Sequence, residues 1–473
     1  MSKLNPTLKG PTVFDTHTRL AGGFGAYAAR QDAVSLLKRV VMANLLWEDI
    51  AYIDGKKVAD QLIELVPQCQ PEVVYEIALA ARLEQKLRHT PLLLAVEMCR
   101  YPQHAKYVSR LLPQIISRAD MLTDFLALYW NRNGGKKAVS HQALKGLAAA
   151  FHNFDEYQFA KYDRDTEVKL RDVMFLCHPT PSNLQEEILF RKIAEKNLVV
   201  PDTWELALSS GEDKKTAWER LISQKRLGAL AFLRNLANMR KAGVDRQVIE
   251  KGFDTLSSSM LLPFDFLKAA RMNPEFKHLI EPAMLKAAAN QPRLSGRTLL
   301  IVDVSGSMCS RVSAKSELSR LDCAKAMAIL AAEVCDEYEI VCTAGNDSTR
   351  IGAHEWIQYP CRGFDMMRQI DETNSRIGRG GIFTRQCLEW CKDKIRAYKP
   401  FDRIIVFSDS QDCDFADKRV PRPFARHNYI CDISCNTHGI AYQGIWTAEI
   451  SGFSEHFLSY IAQYEQSKRL PDK

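Results

Sequence analysis

RTLLIVDVSGSMC, residues 297–309, runs from an unbroken apolar stretch straight into a polar turn. Leu299 to Val302 is too short a run for a helix, and its lack of polar alternation fits a strand buried on both faces, as in a parallel sheet. The run stops at Asp303, and Ser305 and Ser307 follow at alternate positions. Ligand sites of open α/β sheets lie at the carboxyl ends of their strands. Alternate residues of such a turn can aim oxygens at one point, and one carboxylate with two hydroxyls suits Mg²⁺, a hard cation that keeps waters in an octahedral shell.

Downstream, the same grammar continues. LDCAKAMAILAAEVCDEY (321–338) reads as a helix, EIVCTA (339–344) as a strand, FTRQCLEWCKDKI (383–395) as a helix, DRIIVFSDS (402–410) and NYICDIS (428–434) as strands, and SEHFLSYIAQYEQ (454–466) as a helix. Buried strands alternating with helices predict a mostly parallel, doubly wound α/β sheet covered on both faces. Upstream the grammar is helix alone. KKVADQLIELV, PEVVYEIALAARLEQ, TPLLLAVEMCR, ADMLTDFLALYW, SHQALKGLAAAFHNF and LGALAFLRNLANMRK are short amphipathic helices punctuated by Pro, Asn, Asp or Gly. In the last, Ala229, Phe232, Leu233 and Leu236 fall on one stripe. Paired short helices that each bury one face predict an α-solenoid or closed helical ring. The change falls in NQPRLSG, near Gln291 to Gly296, so two domains are expected, 1–295 and 296–473.

A chain of 473 residues accommodates two or three domains. With 46% hydrophobic and 26% charged residues the composition is that of a globular protein. The first twenty residues lack the apolar run of a signal peptide, and no stretch is apolar enough to span a membrane. Thirteen cysteines without framework spacing fit reduced, mostly buried thiols, and the expected compartment is the cytoplasm. Residues 1–295 carry 41 Lys and Arg against 33 Asp and Glu, whereas the remainder carries 23 against 24. The whole positive excess lies in the first domain, which favours a polyanionic partner there.

DVSGSM resembles the metal-ion-dependent adhesion site (MIDAS) of von Willebrand factor A domains. The resemblance implies that Asp409, at the end of IIVFSDS, completes the shell of a divalent cation, with a Thr after Gly-Gly as the remaining ligand. Here GRGGIFT places Ile382 at the threonine position and Thr384 two residues later. Thr384 therefore either substitutes from a shifted turn or leaves the shell incomplete. The plainer alternative is that Asp303 and the serines cap the following helix.

In the first half, KRLGALAFLRNLANMRKAGV resembles the hallmark helix of the TROVE domain, the helical RNA-binding domain shared by telomerase-associated, Ro and vault proteins. AFHNFDEYQFAKYDRDTEVKLRDVMFLCHPTP is similar to a further stretch of that family, and RHTPLLLAVEMCR and WNRNGGKKAVSHQAL add to the match. A TROVE domain followed by an A domain is the arrangement of the Ro ribonucleoprotein family, bacterial-type members included. What the resemblance implies is a HEAT-like helical ring closed by the A domain. It would hold Y-type RNA outside and single-stranded ends of misfolded noncoding RNA in the hole, with an exonuclease or other RNA-processing protein as a further partner. By matching motif the RNA-binding candidates are Lys161, Arg164, Lys169, Arg171 and His178, with Arg132, Lys136 and Lys137 as a neighbouring basic loop beside Asn133-Gly134-Gly135. Arg171 next to Asp172, and Lys161 near Asp163, also fit surface ion pairs. Arg234 and Asn235 fit a role in holding repeats together.

Cys431-x3-Cys435-x2-His438 lacks a fourth zinc ligand. No phosphate-binding loop, Gly-x-Ser-x-Gly elbow or Cys-His nucleophile pair stands out, so the chain is not expected to be an enzyme. The alternative function is an interaction scaffold whose A-domain metal recruits an acidic partner.

Overall fold

The computed structural model describes residues 33–43, 58–83, 87–163, 166–199, 203–209, 211–254, 256, 261, 263–312, 317–358, 361–378, 380–395, 400–409, 413–414, 421–433, 445–451 and 456–467. Among the described residues, two compact units divide at 212/213.

The described residues of the first unit are helical. Its elements are α1 (Ala33–Ala43), α2 (Val58–Leu65), α3 (Pro71–Leu83), α4 (His89–Met98), α5 (Pro102–Ile115), α6 (Asp120–Arg132), α7 (His141–Phe151), α8 (Glu156–Tyr162), α9 (Leu170–Cys177), α10 (Leu184–Glu195) and α11 (Trp204–Ser209). They stack in two layers. In one, α3 packs on α5, α5 on α7 and α7 on α9; in the other, α2 packs on α4, α4 on α6 and α6 on α9. This is the helical-repeat arrangement expected of short amphipathic helices that cannot bury a face alone. Local chemistry sets their ends: the Ser140 hydroxyl caps α7 by accepting from Ala143 N at 3.3 Å, and Asp155 and Gln158 form a capping box at α8.

In the second unit, α12 (Lys214–Ser223), α13 (Ala229–Lys241), α14 (Arg246–Asp254), α15 (Pro263–Met272) and α16 (Lys277–Ala289) continue the helical pattern. Phe232, Leu233 and Leu236 of α13 are buried and Ala229 is half-buried, as the stripe requires. Asn235 is buried too, its amide donating to Ala231 O at 2.9 Å, whereas Arg234 is exposed, 3.8 Å from Asp265 of α15. No strand occurs among the described residues before β1 (Leu294–Asp303).

The α/β part then follows as α17 (Arg320–Val334), β2 (Cys335–Asn346), β3 (Ile351–Trp356), α18 (Gly363–Ile377), α19 (Thr384–Ile395), β4 (Arg403–Ser408), β5 (His427–Asp432), β6 (Ala448–Ser451) and α20 (His456–Ser467). The six strands lie in the order β3-β2-β1-β4-β5-β6, all parallel except the edge pair β2–β3. Central β1 is buried from Thr298 to its end, and α17 is buried on every side from Leu321 to Val334. Because α17 also packs on α15 and α16, the compact unit extends across the change from helix to sheet. The helix expected over 321–338 stops at Val334, where the chain passes directly into β2. No described helix is long and apolar enough to cross a membrane. Ten of the twelve described cysteines are buried, as their scatter predicts.

Candidate metal centre and nucleic-acid interface

Asp303 ends β1 and Asp409 directly follows β4, so adjacent parallel strands deliver two fully buried carboxylates to the carboxyl end of the sheet. Asp303 Oδ1 accepts from the Ser305 backbone N–H at 2.8 Å, and Oδ2 accepts from the Ser408 hydroxyl at 2.7 Å. Those bonds fix the carboxylate and the turn together. Burial, with Asp409 alongside, pushes the Asp303 carboxyl up to about 7. Ser305 Oγ and Ser307 Oγ lie 3.1 Å apart. Two ligands on adjacent vertices of a Mg²⁺ octahedron with bonds of about 2.1 Å are separated by about 3 Å, so the hydroxyl pair fits a shared hard cation.

The capping alternative does not describe these residues. The short 3₁₀ turn Gly306–Cys309 receives no side-chain cap from Ser305, and α17 is capped by Ser319, whose hydroxyl accepts from Asp322 N at 3.1 Å.

The Gly-Gly segment lies against the same turn: Gly306 N–H donates to Gly380 O at 2.9 Å. A Cβ on Gly380 would sit 1.8 Å from the Gly345 carbonyl oxygen of β2, so only glycine permits this approach. Ile382 is buried in the core, and Thr384 is the buried first residue of α19. Sequence reasoning missed Arg320. Its Nη1 donates to Asp409 Oδ2 at 2.8 Å, and no local spacing could reveal a partner 89 residues away. Cys431 is buried in β5, whereas Cys435 and His438 lie outside the described residues. Among the described residues no three His, Cys, Asp or Glu gather at metal-binding distance.

The RNA candidates occupy the first unit, in two places. Lys136 and Lys137 are exposed in the loop after α6, where Gly134 and Gly135 take positive φ with open space around them. Lys136 Nζ lies 5.3 Å from the Trp130 ring centroid, and the Trp130 indole N–H donates to Lys137 O at 3.0 Å, which fixes the loop's base. Arg132 is engaged within the protein: its Nε donates to Oε1 of fully buried Glu97 at 2.8 Å.

The second place is α8 and α9. Lys161 is exposed between the Tyr157 and Tyr162 rings, Lys169 immediately precedes α9, and the Arg171 guanidinium lies 5.9 Å from the ring centroid of exposed Phe175. Asp172 accepts from the Lys169 backbone N–H at 3.1 Å, so it serves as a helix-start acceptor. His178 ends α9 in the left-handed region at φ 47°, its backbone N–H donating to Met174 O and its side chain exposed. Arg164 lies outside the described residues.

The TROVE domain family model matches residues 28–199 and 194–337 of the sequence. Among solved structures, the crystal structure of the Deinococcus radiodurans RO (RSR) protein is similar with a TM-score of 0.59 at 17% identity. The match covers 91% of this chain and 100% of that one. No curated protein matches the sequence.

Proposed function

The chain belongs to the TROVE domain family, and on that premise we propose that it is a non-enzymatic RNA-binding protein of the Ro type, taking Y-type RNA and the single-stranded ends of misfolded noncoding RNA. Residues 1–295 are assigned to the RNA-binding domain and 296–473 to an A domain. The observation that carries the reading is the set of solvent-facing cations on the first unit: Lys136 and Lys137 on an open glycine loop, and Lys161 among tyrosines. Flexible lysines meet phosphates, and exposed rings such as Tyr157 and Phe175 offer faces on which unpaired bases stack. Reduced, buried thiols support a cytoplasmic setting, where an RNA-processing exonuclease would be a partner.

RNA binding measured against salt tests this, for the parent, Lys136→Ala with Lys137→Ala, and Lys169→Ala with Arg171→Ala. Each true phosphate contact removed lowers affinity across RNA sequences and flattens the logarithmic salt slope by about 0.7 to 0.9. Unchanged affinity and slope in folded variants would remove both patches from the interface. No RNA binding by the parent would favour the interaction-scaffold reading.

That second reading draws on the buried pair Asp303 and Asp409. With Ser305, Ser307 and, from α19, Thr384, they would hold a divalent cation, Mg²⁺ by donor chemistry. Bound there, the ion would supply an electrophilic position for a partner's carboxylate.

A further inference from the structure

The cation beside buried Asp409 is the protein's own. Arg320 is the first residue of α17, and its side chain is 15% exposed, with Nη1 2.8 Å from Oδ2 of an aspartate whose side chain is 0% exposed. Its backbone is anchored to the segment that follows the metal turn. Arg320 N–H donates to Ser310 O at 2.9 Å, Arg311 and Ser319 form an antiparallel bridge, and the Ser319–Asp322 box fixes the helix start. The fold therefore fixes the backbone of Arg320 beside the site and leaves its side chain within reach of Asp409, where a buried carboxylate without such a partner would be costly.

We infer that Arg320 is a tethered competitor for the divalent cation, its guanidinium and the metal exchanging on Asp409. The inference rests on the metal reading above. A positive charge held beside the cluster stabilises it in the ion's absence and opposes the ion's arrival. Three consequences follow from Coulomb's law at a buried site. Metal binding is weak and readily reversible. Removing the guanidinium charge tightens it. Occupation by metal turns the Arg320 side chain away from Asp409, toward the surface from which it is 15% accessible, so the metal-loaded and metal-free forms present different charge at the carboxyl end of the sheet.

The full-length protein tests this with Mn²⁺ alone as probe, by calorimetry and by electron paramagnetic resonance of the free ion. The variants are Arg320→Gln and, to mark the site, Asp303→Ala; thermal melting confirms that each is folded. Arg320→Gln is expected to bind Mn²⁺ about tenfold more tightly than the parent, and Asp303→Ala to lose binding. Equal affinity of the parent and a folded Arg320→Gln, with binding lost in Asp303→Ala, overturns the competitor while leaving the metal site standing. No binding by either the parent or Arg320→Gln overturns both. A measurement on the parent itself guards against a variant that fails to fold. In ¹⁵N-arginine-labelled protein, the guanidinium resonance identified by its loss in Arg320→Lys is expected to shift on titration with Mg²⁺. A resonance that stays in place at saturating Mg²⁺ overturns the exchange.

Discussion

At the scale of single residues, the structure separates cations that face solvent from cations the fold consumes. Arg132 and Lys136 stand four positions apart, yet Lys136 is exposed while the Arg132 Nε is committed to Glu97. Among the described residues the other cation beside Glu97 is Arg100, at 3.6 Å. Arg132→Ala would leave a fully buried carboxylate with that looser partner, and is expected to cost about 3 kcal/mol, read as a fall in the denaturation midpoint. Lys136→Ala should leave the midpoint nearly unchanged. Spacing along the chain could nominate both residues but could not tell them apart, because Glu97 lies 35 residues from Arg132 and only the packing of α4 on α6 joins them. Asp303, Ser305 and Ser307 were legible for the opposite reason: their relation is local, carried by one turn.

At the scale of elements, Asp322 ties α17 to α15. It sits at the third position of α17 and accepts from the Arg271 guanidinium of α15 while Lys325, itself buried, lies 3.1 Å away. Burial alone would push its carboxyl up, but the Arg271 hydrogen bonds and the Lys325 charge outweigh it and hold the group well below the usual carboxylate range. A depressed folded value means that the unfolded chain binds the extra proton. The stabilisation is thus fully present above the unfolded value of about 4 and is lost as pH falls further. Melting temperatures of the parent and Asp322→Asn should differ by a constant amount above about pH 4, the gap narrowing progressively only as pH falls below that. The limits of sequence reading at this scale also have a physical cause. Nothing in AAEVCDEYEIV breaks a helix, but residues from Cys335 onward pair with β1, Leu294 opposite Cys335 and Leu299 opposite Glu339, and that pairing overrides helix propensity. Edge strand β3 and four-residue β6 carry too little alternation to be read before their neighbours are known.

At the scale of the whole molecule, helix-then-sheet order was legible because the period of apolar residues changes, and the excess of positive charge before residue 296 was a matter of counting. The division at 212/213 was not legible, since it depends on α15 and α16 packing against α17. Two compact units need not melt together. Scanning calorimetry is expected to give a transition broader than a single two-state step, with added Mn²⁺ raising only the part that belongs to residues 213–473; one sharp transition shifted as a whole would contradict this. The packing of α17 also bears on how such a chain can change over evolutionary time. A gene exchange that cut at the helix-to-sheet boundary would carry off α17 with its apolar face stripped of α15 and α16, an adhesive surface exposed to water. The sheet half is thus not a portable cassette, and lineages that shuffle it successfully should carry the last helical repeat along with it.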